Sequence, residues 1–224
     1  WTELIKHIVT VMSENQTLSI SAKLLDRFPE SYVGCLASEG VISIDNKRCS
    51  FGHETFFDYC FARTYEGGAA GFTKFLKKDE QHLFRRGQLR QILVFTRDDD
   101  FEKYLDLVRD LISNARIRAH LKLLIIDLIA SQFEPTKEEF EVLLPIIQKE
   151  VQRRSEKNEC FEILEARICD KFFNARNLFP LALEQGIIAN WVEKSASCEE
   201  LVEILARYLV WQTYTHGDAV AEII

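Results

Sequence analysis

Histidine, cysteine and acidic side chains are the groups best suited to catalysis or metal binding, and in this chain they are scattered. His53 and Glu54 open a segment that begins like the HExxH motif of zinc proteases, but the second histidine would have to be residue 57, which is phenylalanine. The five histidines and six cysteines show no spacing that would pair a nucleophile with a base. These residues therefore predict neither a metal site nor a catalytic triad.

Two further segments resemble ligand sites in composition alone. Residues 67–71 are rich in glycine, but no Gly-Lys-Ser or Gly-Lys-Thr follows, so the lysine and the magnesium-binding hydroxyl of a phosphate loop are both missing. Residues 98–100 are three aspartates, which could bind a cation; we interpret them instead as acids at a helix start that satisfy backbone N–H groups. We therefore expect no enzymatic activity, no metal and no cofactor within this chain.

Composition predicts a soluble, cytoplasmic protein. The 224 residues carry 35 acidic and 28 basic side chains, and the resulting net charge of −7 argues against a dedicated nucleic-acid binder. No apolar run approaches the roughly 18 residues of a membrane helix, so we expect no membrane partner. The cysteines lack CxxC pairs and the spacing of secreted frameworks, which predicts free thiols. Because the chain begins at Trp1 rather than methionine, we expect it to be a piece of a longer protein.

Residues 1–65 predict a winged-helix domain. Apolar spacing indicates three helices, of which the second covers residues 21–28 and the third residues 30–39. The apolar period then changes from 3.6 to 2 over residues 41–51, which is typical of a short hairpin. A further helix over residues 53–65 carries three aromatic residues that we interpret as core: Phe56, Phe57 and Phe61.

The remainder predicts helical repeats. Residues 66–97 indicate a connecting helical region, and residues 98–224 indicate a HEAT- or armadillo-like α-solenoid, because helix starts recur about every 40 residues. Capping boxes at residues 136–139 and 197–200 mark two of these starts. The predicted fold is therefore all-α with a small β-hairpin wing, a winged helix followed by an α-solenoid. An irregular helical bundle is the alternative for the second part.

DNA binding is the function that a winged helix first suggests. Such domains usually present their third helix to the major groove, but here residues 30–39 carry two acids and no lysine or arginine. Basic pairs at residues 77–78, 85–86 and 153–154 are short and flanked by acids, which predicts solvated faces. We therefore do not expect nucleic acid as a partner, and a winged-helix DNA-binding regulator stays the second alternative.

The most informative motif lies where the hairpin passes into the following helix. It resembles the pattern Phe-x-His-x-x-Phe-x-Asp/Glu-Tyr/Phe-x-x-Ala-Arg/Ala at the end of the winged-helix domain in NACHT and other STAND-type signal-transduction ATPases. The doubled phenylalanine at residues 56 and 57 is most similar to bacterial members. The chain departs from the family because it lacks the Walker A and Walker B segments. The matching residues are Phe51, His53, Phe56, Asp58, Tyr59, Ala62 and Arg63.

This resemblance implies a non-catalytic regulatory and sensor segment. In that family an ATPase core precedes the winged helix, so the implied partner is an upstream nucleotide-binding domain that holds ATP or ADP in the parent protein. The downstream repeats would sense a protein or ligand, and the implied setting is bacterial antiviral defence or stress signalling. The resemblance also implies that His53 contacts the β-phosphate of ADP; the alternative is that His53 caps its own helix. A free-standing α-solenoid protein-interaction scaffold is the first alternative for the whole chain.

Overall fold

The described part of the chain is mostly helical and carries one small antiparallel sheet. The computed structural model describes residues 1–155, 171–196 and 198–223. They divide into two units, Trp1–Leu107 and Val108–Ile224. The prediction of a helical fold with a small β element is confirmed at this level. Both the predicted winged-helix segment and the predicted connecting region lie within the first unit.

In the first unit the three strands lie within residues 19–51, and four helices follow them in the chain. Its last helix, α6 (Phe101–Ser113), continues into the second unit. The preceding elements are α1 (Thr2–Glu14), β1 (Ser19–Ser21), a 3-10 turn (Ala22–Leu25), α2 (Glu30–Ser38), β2 (Ile42–Asp45), β3 (Arg48–Phe51), α3 (Glu54–Thr64), α4 (Gly68–Lys78) and α5 (Phe84–Asp99).

The sheet has the order β1-β3-β2, with both pairings antiparallel. The predicted hairpin is confirmed as β2 and β3, whereas β1 was not predicted. Ile20 of β1 is opposite Cys49 of β3, and both side chains are buried. Arg48 secures the same edge, because its Nη2 donates to the Ser19 carbonyl at 2.7 Å. The helix predicted over residues 21–28 is reduced to the short 3-10 turn, since the chain enters it directly from a strand.

Phenylalanines of α3 anchor the first unit. Phe57 is 1% exposed, and its ring centroid lies 5.3 Å from that of Phe84 on α5 and 6.2 Å from that of Phe51 on β3. Phe61 is also buried, so both are confirmed as core residues. The prediction for Phe56 is wrong, because this side chain is 46% exposed. It lies about 100° round the helix from Phe57, away from the buried face.

Arg85 on α5 corrects the prediction that residues 85–86 form a solvated pair. Its side chain is 1% exposed, and its Nη1 donates to Ser13 Oγ at 3.2 Å and to Gln88 Oε1 at 2.8 Å. The guanidinium carbon lies 4.2 Å from the centroid of the Phe75 ring. Burial lowers the pKa of Arg85, and the nearby Asp79 carboxylate opposes that shift. The network holds α5 against α1 through a satisfied buried charge.

Every regular element that the structure describes in the second unit is helical. The predicted repeat array includes residues 156–170 and 197, which lie outside the described residues, and so do the side chains at 153 and 154. In the described ranges, no helix is both long and apolar enough to cross a bilayer. The elements after α6 are α7 (Ala119–Asp127), a π turn (Leu128–Gln132), α8 (Lys137–Ser155), a 3-10 turn (Arg176–Leu178), α9 (Phe179–Glu184), α10 (Ile187–Ser195) and α11 (Glu199–Ala221).

The predicted capping box at residues 136–139 is confirmed, because both of its reciprocal hydrogen bonds are present. The Thr136 N–H donates to Glu139 Oε2 at 2.8 Å, and the Glu139 N–H donates to Thr136 Oγ1 at 3.3 Å. These bonds satisfy backbone donors at the start of α8. The second predicted box includes residue 197 and lies outside the described part of the chain.

The three consecutive aspartates do not all lie at a helix start. Asp100 does, because its Oδ1 accepts from the Lys103 N–H at 3.1 Å in the first turn of α6. Asp98 and Asp99 instead form the end of α5. The prediction is therefore correct for one of the three residues, and the other two place negative charge at a helix C-terminus.

Candidate functional site

The sheet delivers the chain directly into α3, the helix that carries the motif. β3 ends at Phe51, and Gly52 is the single residue between the strand and the helix cap at His53. A side chain at residue 52 would overlap the carbonyl group of Gly40, so only glycine allows this close approach. The Gly52 N–H donates to the Val41 carbonyl at 2.9 Å, which fixes the turn to the other strand of the hairpin.

His53 is the N-cap of α3 and is exposed to solvent. Its Nδ1 accepts a hydrogen bond from the Thr55 N–H at 3.2 Å and lies 2.7 Å from Thr55 Oγ1. An Nδ1 that accepts carries no proton, so the neutral ring has its proton on Nε2. The helix cap therefore leaves Nε2–H as an exposed donor. Capping and donation to a ligand use different nitrogens and are compatible.

The motif residues divide between the core and the surface. Phe51 and Ala62 are buried, and Asp58 is half-buried. These three side chains are covered, wholly or in part, by the rest of the first unit. The exposed members are His53, Phe56, Tyr59 and Arg63.

Asp58 faces α5. Its carboxylate lies against Gly87, where a methyl group would overlap the carboxyl atoms. Burial raises the pKa of Asp58 to about 6, and the nearby negative charge of Glu54 adds to the shift. Within the described residues no hydrogen bond or ion pair reaches this carboxylate. It is a partly desolvated acid without a cation beside it.

A groove of about 350 Å³ runs between α3 and α5 beside this contact. We name it the α3–α5 groove. On its α3 side, Arg63 stacks on one of the lining rings, with the guanidinium carbon 5.6 Å from the Phe95 centroid. The walls are mainly apolar, and acidic side chains occupy the end formed by the last turn of α5. The lining residues are Tyr59, Ala62, Gln91, Val94, Phe95, Asp98 and Asp99.

The sequence predicted no groove here, and only its α3 side carries residues of the predicted motif. Tyr59 and Ala62 belong to the predicted motif, whereas Gln91, Val94 and Phe95 carried no functional prediction. The sequence signal that could have pointed to the α5 side is the pair Asp98 and Asp99, which lie at the end of α5 and not at the start of the next helix. Recognising that placement needed the boundary between α5 and α6, which is a single residue, Asp100.

A second cavity, of about 290 Å³, lies within the second unit. Arg207 and Trp211 of α11 contribute to its lining, as does Tyr208, whose hydroxyl is buried without a hydrogen-bond partner in the described structure. Burial raises the pKa of Tyr208 well above its ordinary value. The sequence motifs did not point to this cavity.

Neither a cluster of metal ligands nor similarity to a known protein assigns a chemistry to these sites. Among the described residues, no three His, Cys, Asp or Glu side chains are grouped so that they could hold a metal ion. Comparisons of the chain with models of known protein families, with curated protein sequences and with solved structures give no match.

Proposed function

We propose that this chain is a non-catalytic regulatory and sensor segment of a STAND-type signal-transduction ATPase, in which it controls an upstream nucleotide-binding domain. The observation that carries the proposal is the position of His53. The hairpin leads through one residue into α3, and the cap of that helix presents an exposed imidazole donor. The motif on which the resemblance rests thus presents His53 at a surface that a neighbouring domain could reach.

The topology of the first unit supports a winged-helix assignment. The order α1, β1, 3-10 turn, α2, β2, β3, with β3 central in the sheet, is the order of a winged helix-turn-helix. α2 takes the place of the recognition helix, and it carries Glu30 but no lysine or arginine. A helix without cations cannot neutralise DNA phosphates. Tyr32 on α2 is 41% exposed, which suits contact with protein better than contact with a polyanion.

His53 suggests how the segment would respond to nucleotide. A phosphate of ADP held by the upstream domain would accept a hydrogen bond from Nε2–H while Nδ1 keeps its bond to the Thr55 N–H. The α3 N-terminus adds partial positive charge on the same side, although Glu54 in the first turn opposes it. Loss of the phosphate contact would favour an open state of the parent protein.

The second unit is proposed to be the sensor, as a HEAT-like array. Support comes from α11, which exposes large apolar side chains on a long helix: Val210, Trp211 and Tyr214. Exposed aromatic residues on a helical surface are typical of protein-interaction sites. The proposed setting is the bacterial cytoplasm, in defence or stress signalling.

The test is to read the coding sequence upstream of Trp1 and to measure nucleotide binding of the encoded protein. The proposal expects a GxxxxGK[ST] phosphate loop a few hundred residues upstream and retention of ADP after purification. A reading frame that starts close to Trp1 and encodes no such loop would contradict it. That result would favour a free-standing α-solenoid scaffold.

A further inference from the structure

We propose that the α3–α5 groove binds a basic amphipathic helix of a partner protein. An apolar side chain of that helix lies between Tyr59 and Phe95, and a lysine or arginine pairs with Asp98 and Asp99. This inference goes beyond the proposed function and does not depend on an ATPase domain upstream.

The apolar part of the groove is built to receive a side chain. Tyr59 is 53% exposed although it lies on a helix whose neighbours Phe57 and Cys60 are buried. Val94 and Phe95 of α5 are half-buried, so solvent meets a mainly apolar wall. Two helices that form such a trough accept an apolar helix face in the same way as other helix-in-groove complexes. From Gln91 to Asp99, α5 offers about 12 Å of wall, or about two helical turns.

The charge of the occupant follows from the end of α5. Asp98 and Asp99 lie in its last turn, where the helix dipole already places negative charge. Within the described residues, neither the Asp98 nor the Asp99 side chain forms an ion pair or a hydrogen bond. The negative charge of Asp99 acts on Lys103 only at a distance. Two acids at a helix C-terminus are unfavourable in the free chain. A cation supplied by a partner would relieve that repulsion, and it is the complement of this surface.

Arg63 sets the orientation of the occupant. Its guanidinium stacks on Phe95 and gives the α3 side of the groove a positive charge. The two acids, Asp98 and Asp99, lie on the opposite side of the groove, at the end of α5. A bound helix therefore places its basic residues over the end of α5 and keeps them away from Arg63. Acidic side chains placed over the end of α5 would be repelled by Asp98 and Asp99.

Fluorescence anisotropy of the 224-residue chain with synthetic helical peptides tests the inference. The probe is a fluorescein-labelled peptide of about 18 residues with leucine on one face and lysine beside it. The matched peptide has glutamate at every lysine position. We expect saturable binding of the lysine peptide that weakens with salt, and at least about tenfold weaker binding of the glutamate peptide.

Variants separate the groove from the general negative charge of the chain. Asp98→Asn combined with Asp99→Asn, and separately Tyr59→Ala, should each weaken the lysine peptide about tenfold. The control, Asp26→Asn combined with Glu30→Gln, removes two exposed acids elsewhere in the first unit and should leave binding unchanged. Equal losses in the groove and control pairs, or no saturation by the lysine peptide, would overturn the proposal. Sedimentation velocity completes the test, because self-association abolished by Tyr59→Ala would identify a second copy as the occupant and also overturn it.

Discussion

The carboxylate of Asp58 on α3 lies against Gly87 on α5, in a space that any other residue at position 87 would fill. One partner belongs to the motif, and the other to a helix for which no functional residue was predicted. The contact places the half-buried carboxyl group of Asp58 in the packing interface between α3 and α5. Because burial and Glu54 both raise the pKa of this acid, the same contact affects stability through shape and through charge.

Replacement of Gly87 by alanine should destabilise the first unit relative to a glycine that has free space. Gly34 in α2 has no atom within 4 Å of an added methyl group, so Gly34→Ala should raise the free energy of unfolding by about 0.5 to 1 kcal/mol. Gly87→Ala should not show this gain, because the new methyl group overlaps the Asp58 carboxylate. Its free energy of unfolding should be at least about 1 kcal/mol lower than that of Gly34→Ala. Urea denaturation of both variants measures the difference. Similar stabilisation by both would show that Asp58 does not occupy the space.

A double-mutant cycle assigns the effect of Gly87→Ala to Asp58. Asp58→Ala removes the carboxylate that the new methyl group would overlap, so the combined variant should recover about 0.5 to 1 kcal/mol compared with the sum of the single changes. Additive effects would place the origin of the destabilisation elsewhere in α5.

Asp58 should make the stability of the chain depend on pH. Its pKa is about 6 in the folded chain and 3.8 ordinarily, so between about pH 4 and 6 the folded state holds more protons than the unfolded state. The free energy of unfolding therefore falls as pH rises through this window. Asp58→Asn removes the charge and should be more stable than the wild type by about 1 kcal/mol at pH 8, a figure that allows for solvent screening of a half-exposed side chain. The difference should vanish near pH 4; a difference that is the same at both pH values would contradict the assignment.

Two adjacent phenylalanines give a matched test of the α3 core. Phe57 is 1% exposed and Phe56 is 46% exposed. Phe57→Ala should lower the free energy of unfolding by roughly 3 to 5 kcal/mol, whereas Phe56→Ala should lower it by less than about 1 kcal/mol. Chemical denaturation of the two variants under the same conditions makes the comparison. A large loss from Phe56→Ala would mean that this side chain is covered in solution.

The 224-residue chain alone should neither hydrolyse ATP nor bind duplex DNA at physiological salt. The absent phosphate loop motivates the first expectation, and the lack of lysine and arginine in α2 motivates the second. Calorimetry with ATP and magnesium, and anisotropy with a labelled random duplex, measure both. Micromolar binding of DNA would restore the DNA-binding regulator as the better account.

Local patterns predicted those elements whose signals lie within a few residues. The hairpin over residues 41–51, the capping box at Thr136 and the burial of Phe57 all depend on short-range periodicity or on side chains three or four residues apart. The motif likewise placed His53 correctly at the start of a helix, and the alternative of a helix cap agrees with the geometry there.

The features that were missed depend on partners distant in sequence. β1 is three residues long and becomes a strand only through pairing with β3. Arg85 belongs to a charged pair in the sequence, and its burial depends on Ser13, 72 residues earlier. The α3–α5 groove was likewise hidden, because no local pattern shows that Tyr59 and Phe95 line one surface. Tertiary contact overrode the local reading in each case.

The role of His53 can be separated from its capping role by one substitution. Serine is a good N-cap and keeps an acceptor for the Thr55 N–H, but it has no imidazole Nε2–H. His53→Ser should therefore leave the free energy of unfolding of the 224-residue chain within about 0.5 kcal/mol of the wild type. His53→Ala removes both functions and should lose about 0.5 to 2 kcal/mol.

The most direct test of the proposed function is the rate of ADP release from the full-length ATPase that the proposal requires, compared between the wild type and His53→Ser. Loss of a charge-assisted hydrogen bond to a phosphate weakens the closed, ADP-bound state by roughly 1.5 to 3 kcal/mol. ADP release should accordingly be about ten to one hundred times faster in the variant. Equal release rates, with the stability of the chain unchanged, would contradict the account and leave His53 as a helix cap only.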